Sequence, residues 1–151
     1  RRVLVAVDFS PVSLHAIRLA RHWLPNADLV LLHAFELPYE GKLTLAGIDE
    51  QVIRRLVMTE SELRRKRLRD LAAAAGLAPI DYSGRVIHGD PAQQIAAIEQ
   101  EYDCDLIVVG KHGEHIAEEL LLGSVTKHVL TESQCDVLVI CDPRDAPDES
   151  P

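Results

Sequence analysis

Unbroken apolar runs alternate with amphipathic stretches along the whole chain, and that alternation limits the fold more than any other feature. Apolar runs occupy 2–7, 28–34, 84–88, 105–109 and 136–141. Most are continuous rather than alternating, as expected of strands covered on both faces of a parallel sheet. Between them lie helical patterns. Ser10-Pro11 reads as an N-cap followed by proline in the first turn, ahead of a stripe of Leu14, Ile17, Ala20 and Leu24 that Pro25-Asn26 stops. Asp49 to Ala75 reads as one long helix ended by Gly76, with Val52, Ile53, Leu56, Leu63 and Leu71 as its apolar positions. Asp90-Pro91-Ala92-Gln93 opens another helix with an Asp cap, and Ser124 opens the last. The order βαβαβαβαβ predicts an α/β fold: a parallel sheet with helices on both faces and right-handed crossovers. Residues 36–48, with Pro38, Gly41 and Gly47, read as a long irregular connection, either a cover or a plain loop.

Bulk properties exclude several function classes. The 151 residues predict one domain over 1–142, with an acidic, proline-containing disordered tail over 143–151. The net charge of −8 argues against nonspecific nucleic-acid binding. No apolar run approaches the roughly 20 residues that span a bilayer, so no membrane association is expected. Arg1-Arg2 precedes a run too short for a signal peptide that ends in Asp8, and a start at Arg1 reads as trimmed or engineered. Cys104, Cys135 and Cys141 are an odd set that reads as small buried or half-buried thiols in a reducing compartment, hence a cytoplasmic location.

The chemistry concentrates at strand ends. Gly110 and Gly113 follow the apolar run Leu106-Ile107-Val108-Val109, and Gly123-Ser124 opens a helix. Glycines after a strand let backbone approach a ligand, and the free N–H groups of a helix start attract anions. The pair suggests a phosphate cradle. In open α/β sheets ligands bind beyond the carboxyl strand ends where the strand order reverses. If the first and fourth strands meet there, Asp8 faces the glycines, and its carboxylate suits ribose hydroxyls or a base amine. A turn role for Asp8 ahead of Ser10-Pro11 is the plainer reading of that residue alone. No P-loop, no G-x-G-x-x-G after the first strand and no G-x-S-x-G elbow occurs.

These residues resemble the universal stress proteins over roughly 2–141. The resemblance rests on Val5-Ala6-Val7-Asp8-Phe9-Ser10, Leu31-Leu32-His33-Ala34, His88-Gly89-Asp90-Pro91-Ala92, Cys104 to Gly110, Leu121 to Thr126, and Cys135 to Ile140. The spacing G-x2-G-x9-G-[ST], complete at Gly110, Gly113, Gly123 and Ser124, is similar to the family's ATP-binding branch. The resemblance implies a three-layer, Rossmann-like sandwich of the adenine nucleotide alpha hydrolase type, with a five-stranded parallel sheet in the order 3-2-1-4-5. It implies ATP, AMP or ADP as ligand. Asp8 with Ala6 would hold the adenine or ribose end, and Ala34 would line the base pocket. Val109, Gly110, His112 and Gly113 would run along ribose and phosphates, and Gly123, Ser124, Val125 and Thr126 would donate to the phosphates. It also implies a homodimer through 136–140 and an unknown regulatory protein partner.

Residues 114–122 depart from the family pattern with Glu114, Glu118 and Glu119. One such charge about 4 Å from a phosphate costs on the order of 4 kcal/mol at an effective dielectric of about 20. The glutamates either face solvent or help hold Mg²⁺, with Lys111 and Lys127 as compensating charges, and they predict weak ATP binding or a preference for AMP or ADP. The leading expectation is a nucleotide-responsive stress-response module without catalytic residues. A slow ATPase using Glu114, Glu118 or His112, and a nucleotide-free dimeric interaction module, are the alternatives. His112 and His115 have no third ligand nearby in sequence, so no metal site is assigned. His33 and His88 read as satisfied histidines, Trp23 as packing, and Arg64-Arg65-Lys66-Arg67 as a solvated helix face.

Overall fold

A computed structural model describes residues 1–111 and 123–142. Its elements are β1 (Arg2–Ala6), α1 (Pro11–Trp23), β2 (Asp28–Phe35), α2 (Glu40–Leu45), α3 (Glu50–Ala74), β3 (Tyr82–His88), α4 (Pro91–Glu101), β4 (Leu106–Gly110), α5 (Ser124–Glu132) and β5 (Asp136–Ile140). The strands form one parallel sheet in the order β3-β2-β1-β4-β5. The reversal therefore falls between β1 and β4, whose register pairs Val5 with Val108.

The continuous apolar runs have the predicted cause. Alternate residues of each inner strand point to opposite faces, and both faces are covered. Val3, Val5, Leu29 and Leu31 meet Ala16, Ile17 and Ala20 of α1 with Leu68 and Ala72 of α3. Leu4, Val30, Leu32, Ile107 and Val109 meet Ile95 and Ile98 of α4 with Val129 of α5.

Helix punctuation follows the sequence with one exception. Asp49 and Asp90 accept backbone hydrogen bonds from Gln51 and Gln93 at 2.9 and 3.0 Å, and Gly76 ends α3 at φ +85°, a left-handed conformation that glycine adopts without a Cβ penalty. Ser10 sits at the N-cap of α1, but its side chain makes no cap bond. Its hydroxyl donates to Asp8 instead, at 2.5 Å.

Three packing expectations need correction. Val52, Leu56 and Leu63 of α3 are exposed, and its buried positions are Ser61, Leu68 and Ala72. Small side chains at two of these positions let the helix lie close to the sheet, and its stretch 50–60 carries no buried residue. Trp23 is exposed rather than packed. Arg64 is not solvated: its guanidinium lies 4.7 Å from the Phe35 ring centre. Residues 36–48 also hold more than a loop. The short helix α2 begins where Glu40 accepts from His88 Nε2 at the end of β3, at 2.9 Å. That partner is 48 residues away, so local sequence could not announce the helix.

Candidate functional site

The carboxyl ends of β1 and β4 carry the site. Backbone bonding continues past both strands and fixes where the chain leaves the sheet. Val7 N–H donates to Leu32 O at 2.9 Å, and Lys111 N–H donates to Ile140 O at 2.7 Å.

Two hydrogen bonds join the separated parts of the glycine motif. Gly123 N–H donates to Lys111 O at 3.0 Å. The Thr126 hydroxyl donates to Gly110 O at 2.6 Å. The start of α5 is thereby fastened to the end of β4. As the first residues of the helix, Ser124, Val125 and Thr126 have N–H groups without intrahelical acceptors. Lys127 N–H is the first to bond back, to Gly123 O at 3.0 Å. Ser124 is exposed, whereas Val125 packs its side chain toward the α4/α5 core and the Thr126 hydroxyl is committed to Gly110. Val125 and Thr126 therefore offer an anion their backbone donors alone, while Ser124 offers its N–H and its exposed hydroxyl.

Asp8 lies just beyond β1. Its Oδ1 accepts from Ser10 N–H at 3.0 Å, Ser10 Oγ at 2.5 Å and Ser13 Oγ at 2.9 Å. One carboxylate oxygen thus organises the turn into α1. No bond to Oδ2 occurs among the described residues, so Asp8 combines the turn role with one oxygen to spare. Ala6, Ala34 and Val109 end adjacent strands. Ala6 and Val109 belong to the α4/α5 side of the sheet, and strand alternation places Ala34 there with Val30 and Leu32. Both alanines bring little side-chain bulk. His112, Gly113 and the glutamates of 114–122 lie outside the described residues, as does the tail from 143 onward. Among the described residues no three His, Cys, Asp or Glu side chains gather as a metal site.

The opposite face at the same strand ends carries a ladder that sequence reasoning missed. The Phe9 and His33 ring centres are 4.3 Å apart, His33 and Phe35 stack at 6.2 Å, and Phe35 meets His88 at 5.6 Å. Arg67 lies over Phe9 at 4.2 Å. Phe9 holds φ +64°, an uncommon conformation for a non-glycine residue. His33 is buried. Its Nδ1–H donates to Val7 O at 2.8 Å, and its Nε2 accepts from Arg64 at 2.7 Å. Burial lowers its pKa below the usual 6.5, and the Arg64 guanidinium acts in the same direction against the Val7 bond. The folded protein therefore resists a proton that the unfolded chain accepts. His33 contributes stability that is fully present above pH 6.5 and is lost as pH falls toward its lower folded value. His33→Gln should flatten that part of the stability-against-pH curve in urea titrations. A curve unchanged below pH 6.5 would show that His33 contributes nothing to acid sensitivity.

Cys104 and Cys135 are buried and half-buried as expected, whereas Cys141 is exposed and departs from that expectation. Burial raises the pKa of Cys104, and burial with the nearby Glu99 carboxyl pushes Cys135 up to about 12. No helix among the described residues is long and apolar enough to cross a membrane.

Comparison with known proteins agrees with this fold. The sequence model of the universal stress protein family matches residues 1–140. The universal stress protein MJ0531 of Methanocaldococcus jannaschii is 29% identical over 149 residues, covering 95% of this chain and 84% of that protein. The solved structure of MJ0577, also from Methanocaldococcus jannaschii, superposes with a TM-score of 0.76 at 23% identity, covering 93% and 95% of the two chains. A universal stress protein in complex with cAMP gives a TM-score of 0.58 at 27% identity, covering 93% and 95%. An Arabidopsis thaliana member with AMP bound shares the fold, with a TM-score of 0.60 at 17% identity over 98% and 96%.

Proposed function

This chain belongs to the universal stress protein family, and from that premise we propose that it is an adenine-nucleotide-binding regulatory module that works by binding rather than turnover. The observation that carries the reading is the double fastening of Gly123 to Lys111 and of Thr126 to Gly110, beside the β1 end that bears Asp8. The fastening presents backbone donors of a helix start at the point where the strand order reverses, and that arrangement suits phosphate. The related structures with cAMP and AMP support an adenine nucleotide as the ligand class.

In this reading Asp8 Oδ2 accepts from ribose hydroxyls. Ala6, Ala34 and Val109 border the base, and Gly110 with Gly123, Ser124, Val125 and Thr126 holds the phosphates. Nucleotide binding shifts the population of surfaces presented to a protein partner only through contacts that differ between the two states. β5 borders the sheet with β4 as its single neighbour, and pairing of 136–140 across a two-fold axis would remove that open edge.

Calorimetry with AMP, ADP, ATP and cAMP, each with and without Mg²⁺, tests the proposal. Binding of at least one nucleotide below millimolar concentration is the expected result, with AMP or ADP favoured over ATP because of the acidic 114–122 segment. Heat signals absent for all four at millimolar ligand would overturn it. Phosphate release above background, abolished by both Asp8→Ala and Gly113→Ala, would replace binding without turnover by slow hydrolysis.

A further inference from the structure

The outward face of α3 carries an apolar stripe that no element among the described residues covers. Val52, Leu56 and Leu63 are 45%, 45% and 56% exposed. With exposed Thr59 they occupy positions 52, 56, 59 and 63. The steps of four, three and four residues place all of them on one seam of the helix. The buried residues Ser61, Leu68 and Ala72 lie on the opposite side of the same helix. The seam is therefore not a poorly packed part of the core. It points away from the sheet.

Charges flank this seam in a self-complementary order. Asp49 and Arg55 stand toward the N-terminal end, and Glu62 and Lys66 stand toward the C-terminal end. Two copies of α3 laid antiparallel, with a two-fold axis near position 58, bring Val52 against Leu63 of the other copy and Leu56 against Thr59. The same register brings Arg55 opposite Glu62 on one flank. Each contact occurs twice, as an isologous interface requires. Arg55 and Glu62 are exposed and make no ion pair among the described residues.

We propose that the outward face of α3 is a homotypic docking surface, which joins two copies of this chain through antiparallel α3 helices using Val52, Leu56 and Leu63 as the seam and Arg55–Glu62 as the matching charges. The surface is separate from the nucleotide site and from the β5 edge. Its occupation adds one two-fold step to whatever assembly the β5 edge supports.

Sedimentation across a concentration range tests it on the full chain. The unaltered protein should show a self-association step, and Leu56→Glu should weaken it at least tenfold. Arg55→Glu alone and Glu62→Arg alone should each weaken it by placing like charges across the axis. An equimolar mixture of these two single variants should regain association, because every cross pair then joins opposite charges. Circular dichroism confirms folding, and all the altered positions are exposed. An unaltered protein whose mass matches that of Leu56→Glu at every concentration would overturn the proposal, as would a mixture that stays as dissociated as its components. Calorimetry of nucleotide binding by the same variants is expected to be unchanged, so failure here is distinguishable from failure of the nucleotide reading.

Discussion

Asp8→Ala should abolish measurable nucleotide binding and lower stability by about 2–3 kcal/mol. The loss is large because one side chain serves two purposes. Its Oδ1 collects three hydrogen bonds from Ser10 and Ser13 and shapes the turn between β1 and α1. Alanine leaves those donors without their acceptor at a half-buried site, and hydrogen bonds to a charged group are worth more than neutral ones. In the proposed function Oδ2 holds the ribose, so the ligand contact disappears at the same time. Asp8→Asn separates the two roles. Its amide oxygen can still accept from Ser10 and Ser13, while the charge and the second acceptor are gone. Urea unfolding should place Asp8→Asn much nearer the unaltered protein than Asp8→Ala, while calorimetry should show affinity reduced at least tenfold in both. Full affinity in Asp8→Asn would remove the carboxylate from the ligand site.

The second large effect lies at the other end of the sheet from the candidate site. Glu99 on α4 is 5% exposed. One of its carboxyl oxygens accepts from the backbone N–H groups of Gln134 at 2.7 Å and Cys135 at 2.9 Å. These are the residues that lead into β5, so a single side chain sets where the last strand enters the sheet. Glu99→Ala leaves two backbone donors without their acceptor at a part-buried place and should cost about 2 kcal/mol. Glu99→Gln keeps an acceptor and should cost well under half as much. The same alanine variant should lower the Cys135 pKa from about 12 by removing one of the causes that raise it, the larger cause being burial. Alkylation of Cys135 at mildly alkaline pH should therefore run faster in Glu99→Ala. Equal unfolding free energies for the alanine and glutamine variants would show that these two hydrogen bonds do not hold β5 in place.

The site was legible in part. Gly110 and Gly123 stood out because chain geometry and helix-start donors are local properties, and their spacing carries over within a family. The closing bonds were not legible. Thr126 reads equally well as a phosphate ligand or as a strap onto Gly110, and only the 2.6 Å contact shows the strap. Arg64 and His33, 31 residues apart, meet because α3 crosses β2. Nothing in Arg64-Arg65-Lys66-Arg67 distinguishes Arg64 and Arg67, whose guanidiniums lie over the Phe35 and Phe9 rings, from their neighbours. The apolar positions of α3 misled for a related reason. Val52, Leu56 and Leu63 have the spacing of a buried stripe, yet the helix settles on the face bearing Ser61, Leu68 and Ala72, which allows a closer approach to β2 and β3.

Sequence by itself determined the class of the fold, the number of its strands and the strand ends where chemistry is concentrated. Continuous apolar runs, caps and glycines act over a few residues and need no distant partner. Tertiary structure alone decided which face of α3 turns inward, that His88 would hold Glu40 at the start of α2, and that Glu99 would anchor β5. Each of those outcomes depends on a contact between residues far apart in the chain, and its energy exists only after the sheet has brought them together.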